Sequence, residues 1–384
     1  MKGRQPGSAM TFLDGSLTAG QAAGSTRAAG VLAKCSIDRP TATALLAAAS
    51  VGFGTNLAIQ LINLGLHARG VGAGLIGVST MAQAVGIVMA APLAPRAMCF
   101  FGARQTMIFG AALAAVAMIG LAHASDFFLI TVIRVFYAAG LALVFTCSEY
   151  VVLAQTPEQA RGQRAGLYAA VLGIGMALGP AWLSVVGSAG VAAYYSGALL
   201  CLACIPAASS LAEVISPVPS GRQGPRISLV RLAPLGLFSA FLFGFIDNGP
   251  VSLLAVSGVQ KGWSDASSAL LVSAVTLGAI VFQLPVGWAI DRFKPRRVFQ
   301  AGAATAVALL VTLPHIWGIP LLVVLCVVGL GIVMEGLYTV GLADVGKRAP
   351  AAQLGAANAF LVAVCGAGEV VGPIVTGIAL DLLG

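Results

Sequence analysis

Eleven stretches of this chain, each about 20 residues long, run almost without charge, and about 20 apolar residues are what a helix needs to cross a hydrocarbon layer. They cover residues 42–64, 74–93, 107–124, 127–150, 166–186, 191–212, 235–257, 266–287, 298–314, 319–342 and 356–380. Charged residues fill only 9% of the 384 positions, where a soluble domain carries about 25%. A water-facing exterior cannot be built from so little charge, so most of the surface must meet lipid. Glycine, at 48 residues, is costly in soluble helices but lets membrane helices approach closely. The chain is expected to be an all-α polytopic membrane protein with eleven transmembrane helices.

The placement of the cations orients those helices. Of the 21 Lys and Arg, 18 fall on the N-terminal tail and the even-numbered connections, and only Arg69 and Lys261 on the odd-numbered ones. Arg134 is inside the fourth span. Positive residues accumulate in short cytoplasmic connections, so the N-terminus and even connections are expected in the cytoplasm of a cell with an inner (plasma) membrane. One missed span would scramble this asymmetry. The formal charge of +8 is therefore assigned to membrane orientation and not to nucleic acid. Trp263 and Trp317 fall at the outer edges and Trp288 at the inner one, as membrane-belt aromatics do. Residues 1–40 are rich in Gly, Ala and Ser, lack a continuous apolar core of a signal peptide, and are expected to be a disordered cytoplasmic tail.

The chain also repeats. Residues 95–105 (PRAMCFFGARQ), read as the loop between spans 2 and 3, align with 287–297 (GWAIDRFKPRR), read as the loop between spans 8 and 9, at an offset of 192. GMALGP at 175–180 in span 5 aligns with GEVVGP at 368–373 in span 11 at an offset of 193. Two halves of equal orientation make the parallel repeat of a secondary transporter. The expected organisation is a tail (1–40), a six-helix bundle (41–212), a cytoplasmic connection (213–233) and a second bundle (234–384). Span 6 has no counterpart before Gly384, so the twelfth helix of the pseudo-symmetric pair is expected to be missing, through truncation in the favoured reading or else because the chain is a true eleven-helix variant. Leu380, Asp381 and Gly384 read as the turn that would precede it.

These residues resemble the major facilitator superfamily over about 40–384. Gly287, Asp291, Arg292, Arg296 and Arg297 match its loop pattern G-x-x-x-D-R-x-x-x-R-R. The first copy is weaker: Arg96, Gly102 and Arg104 fit, and Cys99 stands at the acidic position. Gly175, Gly179 and Pro180 resemble the fifth-helix G-x-x-x-G-P of exporters, and Arg134 with Gly140 the fourth-helix R-x-x-x-x-x-G. The Pro95–Arg96 loop, together with Glu149 after Ser148, is similar to bacterial members of unassigned substrate. The resemblance implies two bundles rocking about a central cavity lined by helices 1, 4, 7 and 10. The implied activity is secondary transport of a small organic solute with H+, leaning towards export. An importer or uniporter, or a non-transporting remnant or sensor, are the alternatives; the lost acid at Cys99 favours the last.

The physical reading of the motifs stands beside that resemblance. Asp291 among four cations can pair with Arg292 or Arg296 and lock the cytoplasmic side in one state. Gly175, Gly179, Gly368 and Gly372 are spaced for close helix contact. Pro180 and Pro373 each remove a helix hydrogen bond and bend the chain.

A charge at bilayer depth costs between about 3 and over 10 kcal/mol, so ionisable groups there normally face a cavity and act. Asp247, Glu335 and Glu369 fall near mid-span, with Arg134 in span 4 and Glu149 near the cytoplasmic end of that span. Asn56, Gln60 and Asn63 share one helix face, as Glu335 and Tyr338 do. These are the candidate cavity and proton-coupling residues, because a carboxyl in low dielectric can exchange a proton near physiological pH.

Other chemistries find no support. There is no GxxxxGK[ST], HExxH or GxSxG. The G-x-G-x-x-G of Gly72, Gly74 and Gly77 opens a membrane helix instead of following a strand. The seven cysteines (Cys201 and Cys204 form one isolated CxxC) read as small core residues. No enzyme, cofactor or metal site is expected, and the protein is expected to be a monomer.

Overall fold

The computed structural model describes residues 38–156, 161–211, 232–349 and 354–383. The tail with Cys35, the central connection with Arg222, Arg226 and Arg231, and Gly384 lie outside the described residues. The described chain is helical almost throughout, with eleven helices long and apolar enough to span a membrane. They are α1 (Arg39–Ala68), α2 (Ala73–Ala90), α3 (Leu93–His123), α4 (Phe127–Gln155), α5 (Arg161–Val186) and α6 (Ala192–Ser209). Then follow α7 (Pro234–Gln260), α8 (Asp265–Arg292), α9 (Pro295–Thr312), α10 (Pro320–Arg348) and α11 (Leu354–Leu383). The count agrees with the eleven apolar stretches of the sequence.

Local chemistry sets the helix ends. Proline, which lacks an N–H that the first turn could not use, opens α1, α7, α9 and α10. The Asp126 carboxylate accepts from Leu129 N to cap α4, and Ser264 Oγ accepts from Ser267 N to cap α8. Gly70 (φ 78°) and Gly262 (φ 88°) make the left-handed turns that return the chain after α1 and α7. They stand 192 positions apart, so the repeat is present in the backbone as well as in the motifs.

Two loop expectations are corrected. Residues 93–101 are already helical, and the chain breaks only at the buried Gly102 (φ 80°, ψ 159°) before α3 continues. Glycine tolerates that conformation, and Thr106 Oγ1 donates to the Gly102 carbonyl at 2.8 Å to secure it. In the second copy α8 runs on to Arg292, and only Phe293 and Lys294 separate it from α9. Arg96, Arg292, Arg296 and Arg297 are exposed at these connections and Arg104 is half-buried. Gly287 and Asp291 lie in the last turns of α8, with side chains outside the described set. Asp381, expected in a turn, lies within α11.

Lipid tails are as apolar as leucine, so helices in a membrane associate through close packing and not by escape from water. The repeat shows how. A Cβ on Gly175 or Gly179 would collide with the α1 carbonyls of Ala49 or Phe53. A Cβ on Gly368 or Gly372 would meet the α7 carbonyls of Phe241 or Phe245. Gly52 and Gly244 return the contact on Leu172 and Cys365. The α1/α5 crossing is thus copied as the α7/α11 crossing. Gly175→Val is expected to force that crossing apart and lower stability by about 2–3 kcal/mol, as overpacking does. Gly346→Ala, at an exposed position with open space around it, should leave the detergent melting temperature unchanged.

The odd-numbered connections share one face, and there the first six helices are bonded to the last five. Asn63 Nδ2 donates to the Ser252 carbonyl at 2.9 Å, and Ser273 Oγ to the Ala177 carbonyl at 2.7 Å. Ser188 Oγ donates to the Asp265 carboxylate. The Asp381 carboxylate accepts from both Ala73 N and Gly74 N at 2.8 Å, which seats α11 on the N-terminus of α2. Gly72, Gly74 and Gly77 serve this crossing: Cβ atoms there would run into Asp381 or the Pro373 carbonyl. Nearby, Trp263 Nε1 donates to the Trp317 carbonyl at 3.2 Å, and Trp317 is buried beneath it, whereas Trp288 is exposed.

Candidate functional site

The site begins with a proline. Pro250 has no N–H to donate and its ring clashes with the carbonyl one turn back, so an α-helix cannot run through it undisturbed. The chain answers with a π-helical turn over Asp247–Val251 in the middle of α7. Such turns collect at functional sites because they re-aim side chains. Gly249 lets the widened turn lie on α11, where a Cβ would meet the Gly372 carbonyl. Asn248 Nδ2 donates to the Glu369 carbonyl at 2.9 Å and fixes the turn. Its repeat counterpart Asn56 donates to the Met176 carbonyl at 3.0 Å.

Two adjoining chambers meet at this turn, with volumes of about 390 and 380 Å³. They share Asn56, Ile59, Leu172, Met176, Asp247 and Asn248 as a common wall. The first is completed by Gln60 of α1, Thr276 and Gln283 of α8, and Phe243, Glu335 and Tyr338. The second carries Gln83, Phe145, Thr146 and Glu369, and reaches Ala91 at the even-connection end of α2. The bonded closure of the odd face lies above both. Helices α2, α5, α8 and α11 therefore contribute walls beyond the α1, α4, α7 and α10 that the resemblance implied.

Three acids from three helices meet in this space. Glu335 of α10 accepts from Gln283 Nε2 at 3.3 Å. Cys365 Sγ lies 3.6 Å from Glu369 Oε1 on α11. Among the described residues nothing donates a hydrogen bond to the Asp247 carboxylate, and Asp247 lines one chamber with Glu335 and the other with Glu369. Tyr338 stacks at a tilt on Phe243, with ring centroids 5.0 Å apart.

Asp247, Glu335, Glu369, Asn56, Gln60 and Tyr338 thus line the cavity. Arg134 and Asn63 do not, and their assignment to the cavity wall is corrected. Arg134 is fully buried behind Gln83, with Nε donating to Gln83 Oε1 and Nη1 to Asn63 Oδ1, both at 2.9 Å, and Nη1 to Ser79 Oγ at 3.3 Å. Asn63 completes the network by accepting from Thr80 Oγ1 at 3.0 Å. Among the described residues the guanidinium touches no carboxylate. Arg134→Ala is expected to remove three hydrogen bonds, leave Gln83 Oε1 without a donor and open a void, at a cost of about 3 kcal/mol or more, read as a lower melting temperature. Glu149 is exposed near the even-connection end of α4 and lines neither chamber.

Asn248, Gln283, Gln83 and Phe243 are site residues that sequence reasoning missed. Asn248 alone had a signal, its offset of 192 from Asn56. The repeat also sorts the charges: the positions matching Asp247, Glu335 and Glu369 in the first half are Thr55, Leu143 and Met176, and the position matching Arg134 is Cys326.

Comparison with known proteins adds to this geometry. The family model described as Major Facilitator Superfamily matches residues 42–264 and 236–384. The chain is 20% identical over 332 residues to the uncharacterized MFS-type transporter YfkF of Bacillus subtilis (strain 168), covering 85% of each. It is 28% identical over 166 residues, 41% of each chain, to the probable nitrate/nitrite transporter NarK2 of Mycobacterium tuberculosis (strain ATCC 25618 / H37Rv). Among solved structures it is similar to the nucleoside transporter NupG (TM-score 0.72, 13% identity, 90% of this chain and 91% of that one). It is likewise similar to a D-xylose–proton symporter (TM-score 0.70, 14% identity, 88% and 89%). At such identities the structural likeness speaks for the fold.

Proposed function

The chain belongs to the Major Facilitator Superfamily and is a multi-pass membrane transporter, not an enzyme; we propose that it couples proton entry to the export of a small organic solute by alternating access. The observation that carries this reading is the meeting of Asp247, Glu335 and Glu369 at mid-membrane depth in one cavity closed on the odd face. A buried carboxyl is expensive to keep ionised, so each of the three is a place where a proton can exchange for cargo. The concentration of Lys and Arg on the even connections supports a cytoplasmic N-terminus in the plasma (inner) membrane, with this structure facing the cytoplasm. Residues 41–212 and 234–384 act as the two rocking units of a monomer. Asp291 with Arg292 and Arg296, beside Arg96 and Arg104, latches the cytoplasmic side in the opposite state. The export direction rests on Gly175, Gly179 and Pro180. Nitrate or nitrite, named for the mycobacterial relative, would meet three acids here and no lining cation among the described residues.

The test is flux in proteoliposomes. An imposed pH gradient should drive accumulation of a solute against its own gradient, and collapsing the proton gradient with an uncoupler should abolish it. Flux indifferent to pH and to the uncoupler would make the protein a uniporter instead.

A further inference from the structure

We propose that the cavity takes an organic cation, a protonated amine on an aromatic or aliphatic body; this rests on the transport reading and names its substrate class. Four independent features of the walls converge on that chemistry. First, the only charged side chains lining the two chambers among the described residues are Asp247, Glu335 and Glu369. Three carboxylates in one low-dielectric space repel one another and need compensating positive charge, from protons or from a ligand. The one nearby buried cation, Arg134, supplies none: it stands behind Gln83 and is held by neutral groups.

Second, Gln60 is 1% exposed and lines the first chamber, and its buried side-chain oxygen has no hydrogen-bond partner among the described residues. An orphaned acceptor at a cavity wall is satisfied by an N–H donor, and a protonated amine offers up to three. Third, Phe243 and Tyr338 form a ring pair in the same chamber as Glu335, and ring faces attract cations electrostatically. Fourth, among the described residues no three acidic, His or Cys groups come close enough to hold one metal ion. The acids are spread along two chambers, which suits a cation with a body and not a compact divalent ion.

Proton and cargo then compete for the same carboxyls. The titratable groups that line the chambers are Asp247 on α7, Glu335 and Tyr338 on α10, and Glu369 on α11. The described lining residues of α1, α2, α4, α5 and α8 contribute none. A cation that displaces a proton should bind more tightly as pH rises, approaching ten-fold per unit where one proton is exchanged.

The experiment uses the full chain in detergent and a series matched in shape: 4-phenylbutylammonium, 4-phenylbutan-1-ol and 5-phenylpentanoate, with ethidium and tetraphenylphosphonium as bulkier cations. Binding is read by melting-temperature shift, and flux of the same probes in proteoliposomes. Cationic probes should stabilise the protein and the neutral and anionic ones should not. Glu335→Gln and Asp247→Asn should each weaken cation binding about ten-fold or more, while Asp38→Asn, at the exposed start of α1, leaves it unchanged. Should either carboxyl variant fail to fold, the pH dependence of binding in the wild-type chain carries the test alone. Preference for the neutral or anionic probe, or cation binding indifferent to both substitutions and to pH, would overturn the proposal. Transport of such a neutral or anionic probe would overturn it while sparing the transport reading. Failure of every probe to bind overturns the cation assignment, and the pH-gradient flux test then judges the transport reading separately.

Discussion

Asp247→Asn is expected to reduce solute flux driven by a pH gradient to the level of protein-free vesicles, with expression and melting temperature retained. Asp247 stands at the π-helical turn where the two chambers meet and lines both. Asparagine keeps its shape and polarity but cannot carry a proton. No described side chain donates to the carboxylate, so the substitution breaks no structural hydrogen bond, and the effect should fall on function and not on stability. Glu369→Gln should act similarly; it keeps the backbone carbonyl to which Asn248 Nδ2 donates. Downhill exchange of labelled for unlabelled solute, which needs no proton, should survive in at least one of these variants. Unchanged gradient-driven flux in both would remove the acids from the coupling mechanism.

Asp381→Ala is expected to open the odd-connection face. The Asp381 carboxylate accepts two backbone N–H groups at the first turn of α2, and a negative group there also meets the positive end of the helix dipole. Charge-assisted bonds of this kind contribute about 1.5–3 kcal/mol. A loss of about 2 kcal/mol shifts a two-state equilibrium about thirty-fold. Of the remaining links on this face, Asn63 to Ser252 and Ser273 to Ala177 are neutral and weaker, and Ser188 to the Asp265 carboxylate is a single bond to a charged group. Spin labels at the odd ends of α2 and α11 should report a longer distance in the variant. A distribution identical to that of the wild-type chain would mean that Asp381 only trims the end of α11.

Much of this was legible because the bilayer is a demanding solvent. Its thickness fixes the length of an apolar span, and the scarcity of charge left few ways to divide the chain, so eleven helices followed from counting. The repeat was legible at Gly175/Gly368 and Gly179/Gly372 because close crossings tolerate no side chain there. What escaped was depth and local breaks. Asn56, Gln60 and Asn63 do share a helix face, but Asn63 is two turns nearer the odd face, where α1 already bonds to α7, so it joins the closure and the Arg134 network. Periodicity gives an angle around a helix and says nothing of which neighbour waits there. The turn at Pro250 escaped because the apolar run continues through it, and Gly102 because a helical stretch with an arginine and exposed aromatics reads as loop. Asp381 could not be placed from its neighbours in sequence, since its partners Ala73 and Gly74 are some three hundred residues away.

The most direct test is proton release on ligand binding. The purified chain is mixed with the best-bound compound of the matched series in nearly unbuffered detergent solution with a pH indicator. About one proton should be released for each ligand bound, and markedly less in Asp247→Asn or Glu369→Gln. Saturable binding without any proton release, in a chain whose three acids are intact, would contradict the exchange of proton for cargo.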